Sequence, residues 1–421
     1  MHIIRYIFLV PVFFILVTLL FVWVNRRRRA MPVVWLAPAL IAKVFAGMLY
    51  GYLYAHYFPV SDSWMYFRES LIDYKILLNN PTEFFSVHAN TGSITDFFSN
   101  APDAFWSNAG ENLLIKLLAI LNVFTGGNYY LTSILFNCFT FWGLYLFYSL
   151  AHKYFPGKGS LLIMFIFFLP SCLFWNSGMD KDGLLIFFAG TCMFYFDKCI
   201  TLKGDVRSGV ICLFSFAGLL LMRNLTAITF LPAILAWLLS FRKRRNAYLY
   251  FAGVYAVCIV LFFWSARFPD SAYNLPLKFA EKQHQFLSLE GKSKLQLTPL
   301  EPTVASYVKV LPEALNHVFW RPYITEIKSP FHLLSFAENL AVIVIIVLVI
   351  WITQKRTALI LHHPFSMFLL TLALVNLLSI GYLVPFSGAI MRYKAFYVVC
   401  LLLPFINCIK TTPGKSAELY I

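Results

Sequence analysis

Residues 340–356 read LAVIVIIVLVIWITQKR, an uncharged apolar run that stops at Lys355 and Arg356. Extended back to Leu333, the run covers 333–352, and a helix needs ~20 apolar residues to cross a bilayer. Similar runs lie at 6–24, 33–57, 129–152, 160–175, 183–200, 208–222, 225–241, 247–266, 364–385 and 393–409. Together they predict an all-α fold, a polytopic transmembrane helix bundle of about eleven spans forming one integral membrane domain over 1–421. Two runs, 160–175 and 208–222, are short, so broken or tilted ends are expected there.

Composition agrees. Of 421 residues, 60% are hydrophobic and 13% charged, where a soluble domain carries roughly 25% charged residues. That apolar surplus cannot be buried in a soluble fold. The 18% aromatic content suits the headgroup interfaces, where Trp and Tyr gather. A net charge of +15 raises the question of nucleic acid, but the cations stand in short clusters between apolar runs. Such clusters stay cytoplasmic during insertion, and nucleic-acid binding is not expected. The eight cysteines lie in or beside apolar runs, none in a long polar segment and no pair as CxxC. Neither a disulfide framework nor a zinc site is expected.

Orientation follows from the placement of Lys and Arg. With Arg26–Arg29 inside, alternation puts Lys153, Lys158, Lys198, Lys203, Arg207, Arg242–Arg245, Lys355, Arg356, Lys410 and Lys415 on the same side. The run 6–24 is too long for a signal-peptide core and is followed by Arg, so it reads as a retained anchor with its N-terminus outside. Two long segments, 58–128 and 267–332, then face outward, and short interfacial helices are expected in them. In the first, Asn112 to Phe124 is apolar but too short to span, and reads as interfacial or re-entrant.

Chemistry is sought where ionisable groups meet the membrane without a structural reason. Asp62, in Ser61-Asp62-Ser63 after the second run, could take a proton from a substrate hydroxyl or hold a cation; the plain alternative is a helix N-cap. Lys181, in Asn176-Ser177-Gly178-Met179-Asp180-Lys181-Asp182, is held at the membrane boundary by a link too short to be a free loop; the alternative is a solvated hairpin tip. Arg321 and Glu338 stand where the second outer segment returns to the membrane, as a structural pair or a phosphate grip. Arg392 and Lys394 lie just outside the last run, as a clamp for a lipid diphosphate or as snorkelling anchors. Arg223, at a tight turn between two runs, is a weaker candidate. An acid with several cations in a shared pocket of the outer leaflet suits a substrate with a phosphate and an apolar tail. The cations would stabilise charge on a departing phosphate. No P-loop, GxGxxG, HExxH or GxSxG is present, which disfavours ATP-driven transport and the common soluble hydrolase mechanisms.

Many spans, Asp62 in the first long outer segment, a re-entering stretch there and the late Arg392 together resemble the GT-C class of membrane glycosyltransferases. Phe174-Trp175-Asn176-Ser177-Gly178 leading to Lys181, and Arg321-Pro322 leading to Glu338-Asn339, resemble short motifs of bacterial polytopic proteins grouped with that class. The resemblance covers the architecture of most of the chain. It implies a glycosyltransferase of the bacterial inner (plasma) membrane, active on the extracytoplasmic side in cell-envelope polysaccharide synthesis. It would move a sugar from a polyprenyl-phosphate-linked donor to a glycan or lipid acceptor.

On that reading Asp62 and Glu338 are catalytic, Glu338 by positioning a cation. Lys181, Arg223, Arg321, Arg392 and Lys394 bind substrate. The cofactor question stays open between none and a divalent cation at Asp62, since Asp62 lacks the paired acid of many members. Two further departures are the anchor before the span leading to Asp62 and the missing large soluble C-terminal domain of oligosaccharyltransferase-type members. The competing readings are an O-antigen-type polymerase, a flippase or secondary transporter for a lipid-linked substrate, and a scaffold subunit of an envelope machine.

Overall fold

A computed structural model describes residues 2–28, 31–57, 61–86, 102–202, 205–241, 246–268, 273–291, 293–327, 329–353 and 358–409. The described residues are helical throughout, apart from turns, loops and one isolated backbone bridge pairing Lys294 with Phe386. They fall into two compact units, 1–227 and 228–421. Arg29, Lys203, Arg242–Arg245, Lys355, Arg356, Lys410, Lys415 and Asp96 lie outside the described residues, and the side chains of Arg27, Arg28 and Asp103 are likewise undescribed.

Among the described residues, seven helices are long and apolar enough to cross a membrane: Val33–His56, Tyr129–Tyr154, Lys181–Thr201, Ala247–Arg267, Pro330–Thr353, Pro364–Leu383 and Ser387–Cys408. Shorter apolar helices cover Pro11–Arg26, Val206–Met222 and Asn224–Ser240. Within Ala247–Arg267 and Pro330–Thr353 the apolar side chains point outward; Val257, Val260, Val347, Ile350 and Ile352 are all exposed. Lipid is the solvent that satisfies such a surface.

The first unit runs α1 (His2–Arg28), α2 (Val33–His56), α3 (Asp62–Asn79), α4 (Pro81–Ser86), α5 (Pro102–Thr125), α6 (Tyr129–Tyr154), α7 (Gly159–Phe167), α8 (Pro170–Trp175), α9 (Lys181–Thr201), α10 (Val206–Met222) and the start of α11 (Asn224–Ser240). The expected stretch 112–124 is the second half of a longer helix, α5. A turn through Gly126 and Gly127, with φ of 64° and 75°, reverses the chain into α6, since glycine enters that region without a Cβ penalty. Asn128 then caps α6 by accepting from Tyr130 N and Leu131 N.

The run 160–175 is two helices, not one. Pro170 opens α8 as its first residue, a position where its missing N–H costs nothing. Helices α6 and α9 run side by side in the same direction, with Phe136 beside Gly183, Gly143 against Gly190 and Lys153 bonded to Asp197. A Cβ on Gly190 would lie 2.1 Å from the Gly143 carbonyl oxygen. Small residues bring the two backbones together, as in membrane helix pairs generally.

The second unit holds the rest of α11, then α12 (Ala247–Trp264), α13 (Leu275–Ser288), α14 (Val304–Phe319), α15 (Pro330–Thr353), α16 (Ala358–His362), α17 (Pro364–Leu383) and α18 (Ser387–Cys408). The segment 267–332 therefore carries two helices, α13 and α14. They pack with α17 around Ala280, Leu300, Tyr307, Ala314 and Tyr382. Gln283 stitches this core, accepting from Leu300 N at 2.7 Å and donating to Tyr382 O at 2.8 Å. Residues 388–394 were expected outside the last span; they form the first two turns of α18 instead.

Candidate functional site

In the first unit the chain between α8 and α9 is buried from Asn176 to Asp180, so the solvated hairpin tip is not what forms. A helix end away from water must have its carbonyls met, and here they are. Asn176 Nδ2 donates to Cys172 O at 2.7 Å, and Ser177 Oγ to Leu173 O at 2.6 Å. Backbone amides of Ser177 and Asp180 reach Phe174 O and Gly178 O. The last two come from distant helices: Lys43 Nζ of α2 donates to Asn176 O at 2.7 Å, and Asn137 Nδ2 of α6 to Ser177 O at 2.9 Å. Lys43 is 2% exposed and stands near the middle of a candidate span. Asp180 is among the groups that act on it electrostatically. An ammonium at the C-terminal end of α8 also opposes that end's partial negative charge.

Asp180 caps α9, accepting from Asp182 N at 3.0 Å. The next two side chains make ion pairs with other helices. Lys181 Nζ donates to Glu111 Oε1 of α5 at 3.0 Å, and Arg223, just after α10, donates to Asp182 Oδ1 at 2.5 Å. Both cations are partly open, with side-chain exposures of 18% and 21%, while Asp182 is 5% exposed. Lys181 is thus paired with Glu111, and Asp182 with Arg223. The cluster is set back from the start of α6. Gly183 meets Phe136, and at 1.5 Å per residue Phe136 lies about 10 Å along α6 from its first residue.

Asp62 stands in the first turn of α3 and is exposed. The cap is Ser61, whose hydroxyl accepts from Trp64 N. Trp64 stacks on Tyr129 at 3.8 Å and donates to Gly51 O, and Ser63 shares a 2.6 Å hydrogen bond with the Tyr129 hydroxyl. Asp62 thus sits at the level of the start of α6.

In the second unit Lys394 is 4% exposed. Its ammonium donates to Val318 O, in the last turn of α14, and to Asn339 Oδ1 of α15, both at 2.8 Å. Asn339 Nδ2 in turn donates to Arg321 O at 2.7 Å. Glu338 acts electrostatically on Lys394. Arg321 lies 3.6 Å from Glu326 and stacks over Tyr323 at 5.4 Å; Tyr323 bonds Asn316 and its backbone N–H reaches Glu326. Arg321 is thus paired with Glu326, and Lys394 is held by Val318 O and Asn339. Arg392 is half-buried on the second turn of α18. The cavity beside Lys394 and Asn339 measures about 20 Å³ and is otherwise lined by apolar residues such as Val342, Leu377 and Val398. That is room for a water molecule, not for a headgroup. His317 is buried 4.0 Å from Glu313. Burial, with Arg321 beside it, pulls its imidazole below the usual histidine range against the opposing Glu313 and Glu326.

No family model, curated protein or solved structure matches the chain.

Among the described residues no three His, Cys, Asp or Glu side chains gather as a metal would require. Asp62 is flanked in sequence by Ser61 and Ser63.

Proposed function

We propose that the chain is an integral membrane transferase. In this reading it moves a sugar from a polyprenyl-phosphate carrier to a glycan or lipid acceptor, on the extracytoplasmic side of a bacterial inner membrane. The observation that carries the proposal is the pair of partly open cations, Lys181 and Arg223, each oriented by a carboxylate and set back among helices of membrane length. Fixed cations at that depth suit a phosphate borne on a lipid. They bind it as an ion pair and stabilise the charge it gains when the glycosidic bond breaks.

In the reaction the acceptor oxygen bonds to the anomeric carbon, the carbon–phosphate-oxygen bond breaks, and its electron pair leaves on the phosphate. Asp62, exposed and close to the surface, takes the acceptor proton. The topology that goes with this reading counts α1, the broken pair α7–α8, α10 and α11 as further crossings. That gives about eleven, with the basic connections cytoplasmic.

A panel of polyprenyl-phosphate sugars incubated with purified protein tests the proposal, with released carrier scored by mass spectrometry. Release from at least one donor, abolished by Asp62→Asn at unchanged thermal stability, is expected. Full release by Asp62→Asn removes Asp62 from the mechanism, and no release from any donor removes the transferase.

One observation favours a second reading. Helices α8 and α14 each end against the side of a long apolar helix, as the broken helices of secondary transporters do. A flippase would move the same lipid between leaflets of a vesicle while leaving its glycosidic bond intact.

A further inference from the structure

We infer that Lys43 is a positioning residue: by bonding the carbonyl of Asn176 from the middle of α2, it fixes the buried turn that presents Lys181 and Asp182. The inference rests on the proposed role of Lys181 and Arg223 as the phosphate-binding cations, and it adds a residue that touches no substrate. An ionisable group at the centre of an apolar helix is retained only where it has work to do. Solubility is not that work, because the ammonium is 2% exposed. Nor is it a snorkelling anchor, since its charge goes inward, to Asn176 O at 2.7 Å.

With Asn176 O held by Lys43 and Ser177 O by Asn137, the turn is fixed from two helices. Its path is also fixed sterically. A Cβ on Gly47 would lie 2.7 Å from Ser177 O, and one on Gly178 would lie 2.8 Å from both Asp180 Oδ2 and Tyr50. The turn delivers Asp180 to the N-cap of α9, and the cap sets where α9 begins. Lys181 and Asp182 are the first residues of that helix, so their reach to Glu111 and Arg223 depends on it. Lys43 therefore acts on the cation cluster through the backbone. Lys43→Met keeps the length and apolar stem of the side chain and removes only the donor and the charge. Lys43→Arg restores a donor and a charge.

The test uses full-length protein in nanodiscs with two readouts. Hydrogen exchange across 176–183 reports the turn directly and needs no enzymatic activity. Affinity for a sugar-free polyprenyl phosphate reports the cation cluster. In Lys43→Met we expect exchange at 176–183 to rise at least tenfold, with α12 and α15 unchanged, and affinity to fall at least tenfold. Lys43→Arg should recover most of both. Asn137→Ala, which removes the second tether and leaves Lys43 in place, should loosen the turn by a smaller factor and serves if Lys43→Met does not fold. Asn376→Ala, which breaks the buried Asn376–Thr229 bond of the second unit, controls for general loosening and should leave the turn protected.

Unchanged exchange in Lys43→Met, or in Asn137→Ala if that variant alone folds, overturns the inference. So does a loosened turn that binds polyprenyl phosphate as tightly as the wild type. If wild-type protein binds no polyprenyl phosphate while Lys43→Met still loosens the turn, the failure belongs to the proposed function and not to the role of Lys43.

Discussion

The two units solve the same problem with the same residue type and arrive at different surroundings. In the first, α8 stops short of the helix ends and Lys43 of α2 meets the carbonyl of its C-cap, Asn176. In the second, α14 stops in the same manner and Lys394 of α18 meets the Val318 carbonyl. A helix that ends away from water leaves carbonyls that cost free energy unless paired, and a lysine on a neighbouring long helix supplies donors and a favourable charge at once.

The difference lies beyond the cap. Past Asn176 the chain turns into α9 and presents two partly open ion pairs. Past Val318 the lysine is shared with Asn339, and the space left holds no more than water. One capped end carries a partly open charged cluster, and the other leaves room only for water. The first is the better candidate for binding, and the second reads as a fixed support for Arg321 through Asn339.

That comparison can be broken by measurement. The largest effect is expected at Lys394→Met, which strips two acceptors, Val318 O and Asn339 Oδ1, of their charged donor. Each acceptor left without that donor costs about 1–3 kcal/mol, read as denaturant-induced unfolding of the second unit. Lys43→Met should cost less, about 2–3 kcal/mol, because the turn keeps Asn137 as a second tether. A larger loss at Lys43 than at Lys394 would reverse the comparison. Asn339→Ala should cost about 2 kcal/mol, and its effect should not add to that of Lys394→Met, since both remove the same bond.

Smallest is a pH effect at His317. Burial and Arg321 hold its folded-state pKa below the unfolded value of about 6.5. Protons then bind preferentially to the unfolded chain, so stability is complete above about pH 6.5 and falls as the pH drops toward the folded value. The slope from one site is at most about 1.4 kcal/mol per pH unit. Unfolding measured at several pH values should lose that slope in His317→Gln. A slope of the opposite sign would mean that Glu313 and Glu326 outweigh burial.

Much of the fold was legible because apolar length is a local signal. The run 333–352 became α15, and 33–57, 129–152, 183–200, 247–266 and 364–385 each lie on one long apolar helix. The cap at Ser61 and the constraint on Lys181 were also local, within a few residues. The two capping lysines were not. Lys43 and Asn176 are 133 residues apart, and Lys394 and Val318 are 76 apart, so no sequence spacing announces either bond. Lys43 did carry one readable sign, a single charge inside Ala-Leu-Ile-Ala-Lys-Val-Phe at 39–45, and the hydropathy of the run masked it. Lys394 was placed at the membrane boundary because Arg392, Tyr393 and Lys394 look like an interfacial cluster. Asp180 could not be read as buried, since burial there follows from Gly47 and Gly178 letting α2 close on the turn.

The most direct test of the account is the affinity of a polyprenyl phosphate for wild-type protein and for Lys181→Gln, measured in nanodiscs beside a neutral lipid. Lys181 is suited to this because its partner Glu111 is itself partly exposed, so the substitution leaves no buried charge. The account predicts at least tenfold weaker binding of the phosphate, with no change for the neutral lipid and no loss of thermal stability. Equal affinity in the two proteins would contradict it.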